Sequence, residues 1–321
     1  MQALTVIQQG QQTLPAFMAP QVEAARNFIA NQIAESTKRA YVSDFKNFTA
    51  WCDTFGGCPL PAAPEVVALY LSHVATEGAK YATISRRAAA INFAHITAGL
   101  DSPTKSHQVS GALQGIRRTV GIAPVKKAPA TSAKIHEMVR FCPDTLQGKR
   151  DKALLLMGFA GAFRRSELVA LNVSDVAVEA AGMKVTIRKS KTDQEGAGQT
   201  VPIFRGEVHC PVTAMQEYLL AAGITEGPIF RPINKGGKLG QAALCAESVA
   251  DVVKTYATKA GFSPAEFAGH SLRAGFLTSA AENGANLFKM VEVSRHRSLE
   301  TVRGYVRSAE MFKNHAGAGL L

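Results

Sequence analysis

Between residues 122 and 133 the chain reads Ile-Ala-Pro-Val-Lys-Lys-Ala-Pro-Ala-Thr-Ser-Ala. Two prolines remove backbone donors, the small residues bury little surface, and no large aromatic is present. No core can be built through such a stretch. A chain of 321 residues is also long for a single core. Two domains are therefore expected, over 31–121 and 134–321, joined by a basic linker at 122–133 that contains Lys126 and Lys127. Residues 1–30 show little periodicity apart from a short helix near Val22–Ile29 and are expected as a flexible leader.

The net charge is +11, which points to a polyanionic partner, most simply nucleic acid. The excess is shared: 12 Lys/Arg against 7 Asp/Glu up to residue 133, and 24 against 18 beyond it. Two basic lobes suit a clamp around a duplex better than an enzyme with one basic tail. The five cysteines (Cys52, Cys58, Cys142, Cys210, Cys245) are scattered and include no C-x-x-C, so reduced thiols in a cytoplasmic protein are expected. His209-Cys210 has no ligand partners in the sequence, and neither metal nor cofactor is expected. No apolar run reaches the ~18 residues of a membrane span, and the first residues lack the charged start of a signal peptide.

In the first domain the apolar spacing predicts four helices. Ser36 is placed to cap one with Tyr41, Phe45, Phe48 and Cys52 on its inner face, stopped at Gly56-Gly57. Pro64 opens a second, to Val74. The third runs over Tyr81–Ala98, with Ile84, Ala88, Ile91 and Ile96 inward. The fourth runs over Ser106–Val120, and Gly121 ends it. Three basic pairs, Lys38-Arg39, Arg86-Arg87 and Arg117-Arg118, fall on or near these helices, and Thr83, Ser85 and Asn92 lie beside the middle one. This pattern could set the Tyr81–Ala98 helix in a major groove, with the other pairs on backbone phosphates.

The second domain begins with a helix near Ser132–Phe141. Asp151–Ala160 follows, apolar on nearly every side and so expected to be a buried helix. It runs into Arg164 and Arg165, which would be costly beside a buried helix unless paired; Glu167 could pair with one. Val173–Val178 and Met183–Arg188 read as strands, and Thr200–Phe204 as the hairpin partner of the latter. Lys191 lies in the polar tip at 189–198. Helices are expected over Pro211–Ala222, Ala246–Ala260, from His270 to about Asn283, and over Leu287–Val293. His270 and Arg273 are three apart, so a helix would aim an imidazole and a guanidinium at one spot, a pairing that suits a phosphate. The chain ends in an apolar tail, Met311–Leu321.

Taken together, Arg164, Lys191, His270, Arg273, His296 and Tyr305 stand in that order along the second domain. This pattern resembles the tyrosine recombinase (phage integrase) family in its compact, Cre-like form. R-x-S-E-L at Arg164–Leu168 is similar to the family's first arginine box, Lys191 to its hairpin lysine, and H-x-x-R at His270–Arg273 to its second box. His296 and Tyr305 match its spacing before the tyrosine. The resemblance covers essentially the whole chain.

It implies a mainly α protein: a four- or five-helix core-binding domain plus an α+β catalytic domain with a small antiparallel sheet and a C-terminal tail helix. It implies a site-specific recombinase that cuts and rejoins double-stranded DNA as a homotetramer through a 3′-phosphotyrosyl link, without metal or ATP. Tyr305 would be the nucleophile, Arg164 and Arg273 the phosphate clamp, and His270 a proton acceptor or phosphate ligand. His296 would add a donor, Lys191 would be the general acid, and Glu167 would orient the site. Nearby arginines are expected to lower the pKa of Lys191. Three departures stand out: Phe163 where Leu is common, Ala274-Gly275 where many members have His-Thr, and Arg295 where Gly is usual. Two rival readings use the same residues: a DNA-binding protein without strand exchange, and a type IB topoisomerase. A bacterial or phage-encoded, nucleoid-associated protein without a separate arm-site domain is expected.

Overall fold

The computed structural model describes residues 20–21, 23–24, 32–123, 127–188, 190, 198–309 and 311. Of the short helix expected near Val22–Ile29 only residues 23 and 24 are described, both helical; the hairpin tip with Lys191, the linker lysine Lys126 and the tail beyond Met311 lie outside the described residues. The chain divides into two compact units, Met1–Val125 and Lys126–Leu321.

Among its described residues the first unit is built chiefly on α1 (Glu35–Asp53), α2 (Pro64–Thr76), α3 (Tyr81–Thr97) and α4 (His107–Val120). α1 packs chiefly on α3, and α2 on α4. Phe48, Cys52, Tyr70, Leu71, Ile84 and Ile91 meet in the core, each apolar side chain contributing on the order of 1.5–3 kcal/mol. Ser36 does not cap α1; the helix starts two residues earlier than such a cap would set it, at Glu35 behind Ala34. Ser106 does cap α4, accepting from the Val109 amide at 3.2 Å.

Two polar residues reset the expected faces. Asp44, not Tyr41, is fully turned inward on α1. Its carboxylate is held by Arg86, whose Nε lies 2.7 Å away, and more loosely by Arg87 at 3.9 Å. On α3 the inward row runs 84, 88, 91, 95, so His95 is buried and Ile96 is 55% exposed. His95 Nε2 accepts from the buried Ala62 amide at 2.9 Å, which satisfies a donor that an isoleucine would leave unpaired.

The second unit is wrapped around α6 (Leu146–Ala160), preceded by α5 (Ser132–Arg140). Residues 153–155 and 157 of α6 are 0% exposed. α6 begins five residues before Asp151 because Thr145 caps it, accepting from the Gly148 amide at 3.1 Å. The short α7 (Arg165–Val169) follows.

Val173–Asp175 is a 3₁₀ turn, not strand: the Asp175 carboxylate accepts from the Asn172 amide at 2.8 Å and closes the chain locally. Strand β1 therefore covers only Val176–Val178, followed by β2 (Gly182–Ile187) and β3 (Gln199–Phe204), antiparallel in the order β1-β2-β3. Met183, Val185, Ile187, Val201 and Ile203 alternate onto the buried face.

Helices α8 (Pro211–Ala222), α9 (Ala246–Lys259), α10 (Ser271–Glu282), α11 (Leu287–Ser294) and α12 (Leu299–Ala309) complete the unit. α12 packs on α10 and α11 of its own chain.

Residues 127–130, expected as linker, lie along α10. The amides of Ala128 and Ala130 donate to the Glu266 and Ser271 carbonyls at 2.8 and 2.9 Å. Ala130 is 0% exposed. A Cβ on Gly275 would come within 1.8 Å of the Ala130 carbonyl oxygen, which accounts for a glycine two residues after Arg273. No helix of the described residues is long and apolar enough to cross a membrane.

Candidate active site

The turn from α6 into α7 uses a backbone that few residues accept. Ala162 has φ 46°, a left-handed conformation that costs a non-glycine residue roughly 1–2 kcal/mol. The carbonyls of this turn are met by guanidinium groups. Arg273 Nη1 donates to the Ala162 oxygen at 2.7 Å. Arg295 donates through Nη1 to Gly161 at 3.1 Å and through Nη2 to Ala162 at 3.2 Å. Arg295 has φ 56°, so both non-glycine left-handed residues among those described meet here.

Arg164 caps α7. Its amide donates to Glu167 Oε2 at 2.9 Å, its Nη1 to Oε1 at 2.5 Å, and its Nη2 to the Arg295 carbonyl at 3.4 Å. Arg165 is exposed at the rim, its aliphatic stem lying where a Cβ on Gly269 would fall. Of the two adjacent arginines, Arg164 thus faces the pocket.

Glu167 is 2% exposed and holds two arginines: Arg164, and Arg295 at 3.0 Å. Burial alone would raise its pKa, but the Arg295 charge and the Arg164 donors hold it below the usual carboxylate range.

Arg273 is the largest fully buried side chain among the described residues, at 0% exposure. Its Nη2 lies 3.2 and 3.3 Å from the two ring nitrogens of His296. Its Nε has no partner among the described residues. Burial, then repulsion from Arg164 and Arg295, pushes the guanidinium down to about 9, still cationic at neutral pH. A cation held this deep, with a donor unspent, is a ready receptor for an anion.

His270 stands at the N-cap of α10 with its side chain exposed. Partial desolvation, then the charges of Arg273, Arg164 and Arg165, lowers its pKa. His296 follows Arg295, with Nδ1 2.9 Å from the Oγ of buried Ser294. Burial, then Arg273 and Arg164, pushes its imidazole down to about 3. Both rings are therefore neutral at pH 7; exposed His270 can accept a proton, and His296 serves as a hydrogen-bonding group.

Tyr305 sits on α12, half-buried among Leu277, Met290 and Val302. Burial raises its phenol pKa, and the positive charge of Arg273, within electrostatic reach, opposes the rise. A cleft of about 400 Å³ opens beside His296 and Arg297 and reaches Gln199 and Thr200 on β3. Strand β3, which follows Lys191 in sequence, borders that cleft through Gln199 and Thr200.

The structure thus gathers Arg164, Glu167, His270, Arg273, His296 and Tyr305 from segments over 140 residues apart. Arg295 joins them unforeseen. Its burial could not be read from its neighbours; the one hint was a buried carboxylate able to hold more than one cation.

The residues expected to contact DNA belong to the first unit, except the linker lysines. Lys38 pairs with Glu35 at 3.3 Å, and Arg39 is exposed. Arg86 remains 51% exposed while paired to Asp44. Arg87 is turned inward, donating to the Tyr70 hydroxyl at 3.1 Å. Arg117 and Arg118 are exposed in the last turn of α4. Lys127 is exposed and donates to the Ala265 carbonyl at 2.6 Å.

Residues 130–311 match the phage integrase family. The chain belongs to that family: it is a tyrosine recombinase, a DNA strand transferase. It is 38% identical over 299 residues to the integrase/recombinase xerD homolog of Selenomonas ruminantium, covering 91% of this chain and 87% of that protein. To the recombinase cre of Escherichia phage P1 it is 24% identical over 297 residues, covering 86% and 85%. The fold is similar to the Tn1549 transposon integrase in complex with transposon right end DNA (TM-score 0.60, 16% identity, 91% and 97% covered). It is also similar to a lambda integrase dimer bound to a core site (TM-score 0.60, 15% identity, 95% and 84% covered).

Proposed function

We propose that this recombinase is site-specific, cutting and rejoining double-stranded DNA through a 3′-phosphotyrosyl link to Tyr305 as a homotetramer on two target sites. The observation that carries this reading is the buried Arg273, with an unspent Nε, beside Arg164 and two neutral imidazoles, with Tyr305 within its field. A scissile phosphate placed there would have its non-bridging oxygens clamped by Arg164 and Arg273, which stabilises charge as it grows in the transition state. The Tyr305 oxygen attacks phosphorus, and the 5′-oxygen of the next nucleotide leaves. The phenol is mostly neutral at pH 7 and must lose its proton; His270, kept neutral by its cationic neighbours, can take it. His296 hydrogen-bonds the phosphate, and Lys191 protonates the leaving oxygen. Glu167 orients Arg164. Because the phosphodiester energy is stored in the tyrosyl ester, resealing needs no nucleotide, and the cationic cluster supplies the charge neutralisation for which other nucleases use a metal.

The relatives named above, a phage recombinase and an integrase solved with DNA, support a DNA partner and a bacterial or phage setting. The basic helices of the first unit, through Lys38, Arg39, Arg86, Arg117, Arg118 and the linker lysines Lys126 and Lys127, would grip backbone phosphates. Arg87, facing inward, would act by holding Asp44 and Tyr70. The apolar tail at 311–321 would dock on a neighbouring protomer.

The test is covalent trapping on a nicked target site in chelator. Wild-type protein should yield a DNA adduct stable to denaturant, and Tyr305→Phe should bind the site but yield none. An adduct in the phenylalanine variant, or none in wild type on any captured genomic site, would leave the reading without support. Relaxation of supercoiled DNA of any sequence by a monomer would favour the topoisomerase reading instead.

A further inference from the structure

Arg295 is the arginine that the proposed chemistry leaves unassigned, and its surroundings are unusual. Its side chain is 3% exposed. It reaches the Gly161 and Ala162 carbonyls, the Val293 carbonyl at 2.5 Å and Glu167 Oε2 at 3.0 Å, and stacks over the Phe163 ring at 5.3 Å. Its own carbonyl accepts from Arg164 Nη2 at 3.4 Å. Its backbone is left-handed, a conformation glycine would adopt without strain. A strained, buried cation persists only where its surroundings over-determine it.

This wiring acts on two neighbours. Glu167 has one carboxylate and two arginines on it. Without Arg295, the whole charge of that carboxylate falls on Arg164 and draws its fork away from an incoming phosphate. Moreover, Arg295 is joined covalently to His296, so each bond it makes to the 161–163 turn also fixes where the imidazole stands. We propose that Arg295 is a positioning residue for strand cleavage: it shares Glu167 with Arg164, leaving the Arg164 fork available to phosphate, and pins His296 to the Ala162 turn.

This rests on the roles given above to Arg164 and Tyr305, and the experiment separates the two claims. Single-turnover adduct formation on the trapped site is measured for wild type, Tyr305→Phe, Arg295→Gly, Arg295→Lys and Arg295→Gly/Glu167→Gln, with Kd for the same DNA and Tm for each. Adduct in wild type and none in Tyr305→Phe upholds the catalytic reading whatever the Arg295 variants do. For Arg295, Gly keeps the backbone conformation, so Kd should stay within about threefold of wild type while the cleavage rate falls at least ~10-fold, an effect of the size expected for a misplaced reacting group. Neutralising Glu167 in the same chain should recover several-fold of that loss. Lys, which can reach Glu167 but cannot fork onto two carbonyls, should be intermediate. A merely structural arginine would move Tm, and any rescue by Glu167→Gln would appear in Tm alone and not in the cleavage rate of the folded, DNA-saturated protein. Wild-type cleavage by Arg295→Gly, or a double variant no faster than the single one, overturns the proposal. If Arg295→Gly melts below the assay temperature, Arg295→Lys decides: a wild-type rate overturns it, and a reduced rate at wild-type Kd and Tm sustains it.

Discussion

Arg273 Nη2 lies almost equally far, 3.2 and 3.3 Å, from both ring nitrogens of His296, so the guanidinium sits against the imidazole without committing to either lone pair. Burial first, and then that guanidinium, disfavour a protonated ring, and the His296 pKa falls to about 3. In the proposed reaction His296 is therefore a neutral hydrogen-bonding group, and the positive charge resides in the arginines.

That relationship sets a pH dependence of stability. His296 and His270 both have folded pKa values below the ordinary value of 6.5. Below that value the unfolded chain takes up protons that the folded chain refuses, so stability falls with pH from about 6.5 toward 3. Glu167, also depressed, adds to the loss only below its ordinary value of 4.5. Denaturant melts between pH 7.5 and 5 should show this decline, and His296→Gln should flatten it. A decline unchanged in that variant would contradict the burial of the ring.

Lys191, proposed as the general acid, should matter only while the leaving oxygen needs a proton. Lys191→Ala is expected to slow cleavage of ordinary DNA by ~10²–10⁴-fold. It should approach the wild-type rate on a site with sulfur in place of the bridging 5′-oxygen, since a thiolate leaves unaided. Equal losses on both substrates would assign the proton to another group.

Arg117 and Arg118 are exposed at the end of α4 and are proposed to hold phosphates. Their joint change to Ala should weaken binding to target and random duplex alike. The slope of log K against log salt should become shallower by up to about 2, roughly 0.9 for each phosphate no longer neutralised. Loss of target binding alone would mean base reading instead.

Gly275→Ala should destabilise the second unit by about 1–3 kcal/mol, because the new Cβ meets the Ala130 carbonyl at 1.8 Å and backbone must move. The higher- or lower-melting transition assigned to that unit should shift while the other stays. No shift would mean that residues 127–130 part readily from α10.

The helices were legible because apolar spacing and punctuation agree: Pro64, Gly121, Pro211 and Gly223 stand where the chain turns. The candidate site residues could be picked out because their types and spacing follow the family's boxes, and the structure brings Arg164, Arg273 and His296 together. Polar residues with private partners were not. Asp44 faces inward only because Arg86, 42 residues away, meets it, and His95 only because the Ala62 amide needs an acceptor. The strand expected at 173–175 became a turn for the same reason, an Asp175 carboxylate closing on a local amide. Arg295 is the extreme case: its burial depends on Glu167, 128 residues earlier.

The left-handed Ala162 turn, with its carbonyls received by arginines from two later segments, bears on how such a chain can be re-engineered. Residues 161–167 and 293–296 are halves of one joint. A chimaera that imports the earlier half from a relative while keeping the later one would bring together a socket and a peg cut to different gauges. Exchanging both halves together should give functional hybrids where exchanging either one fails.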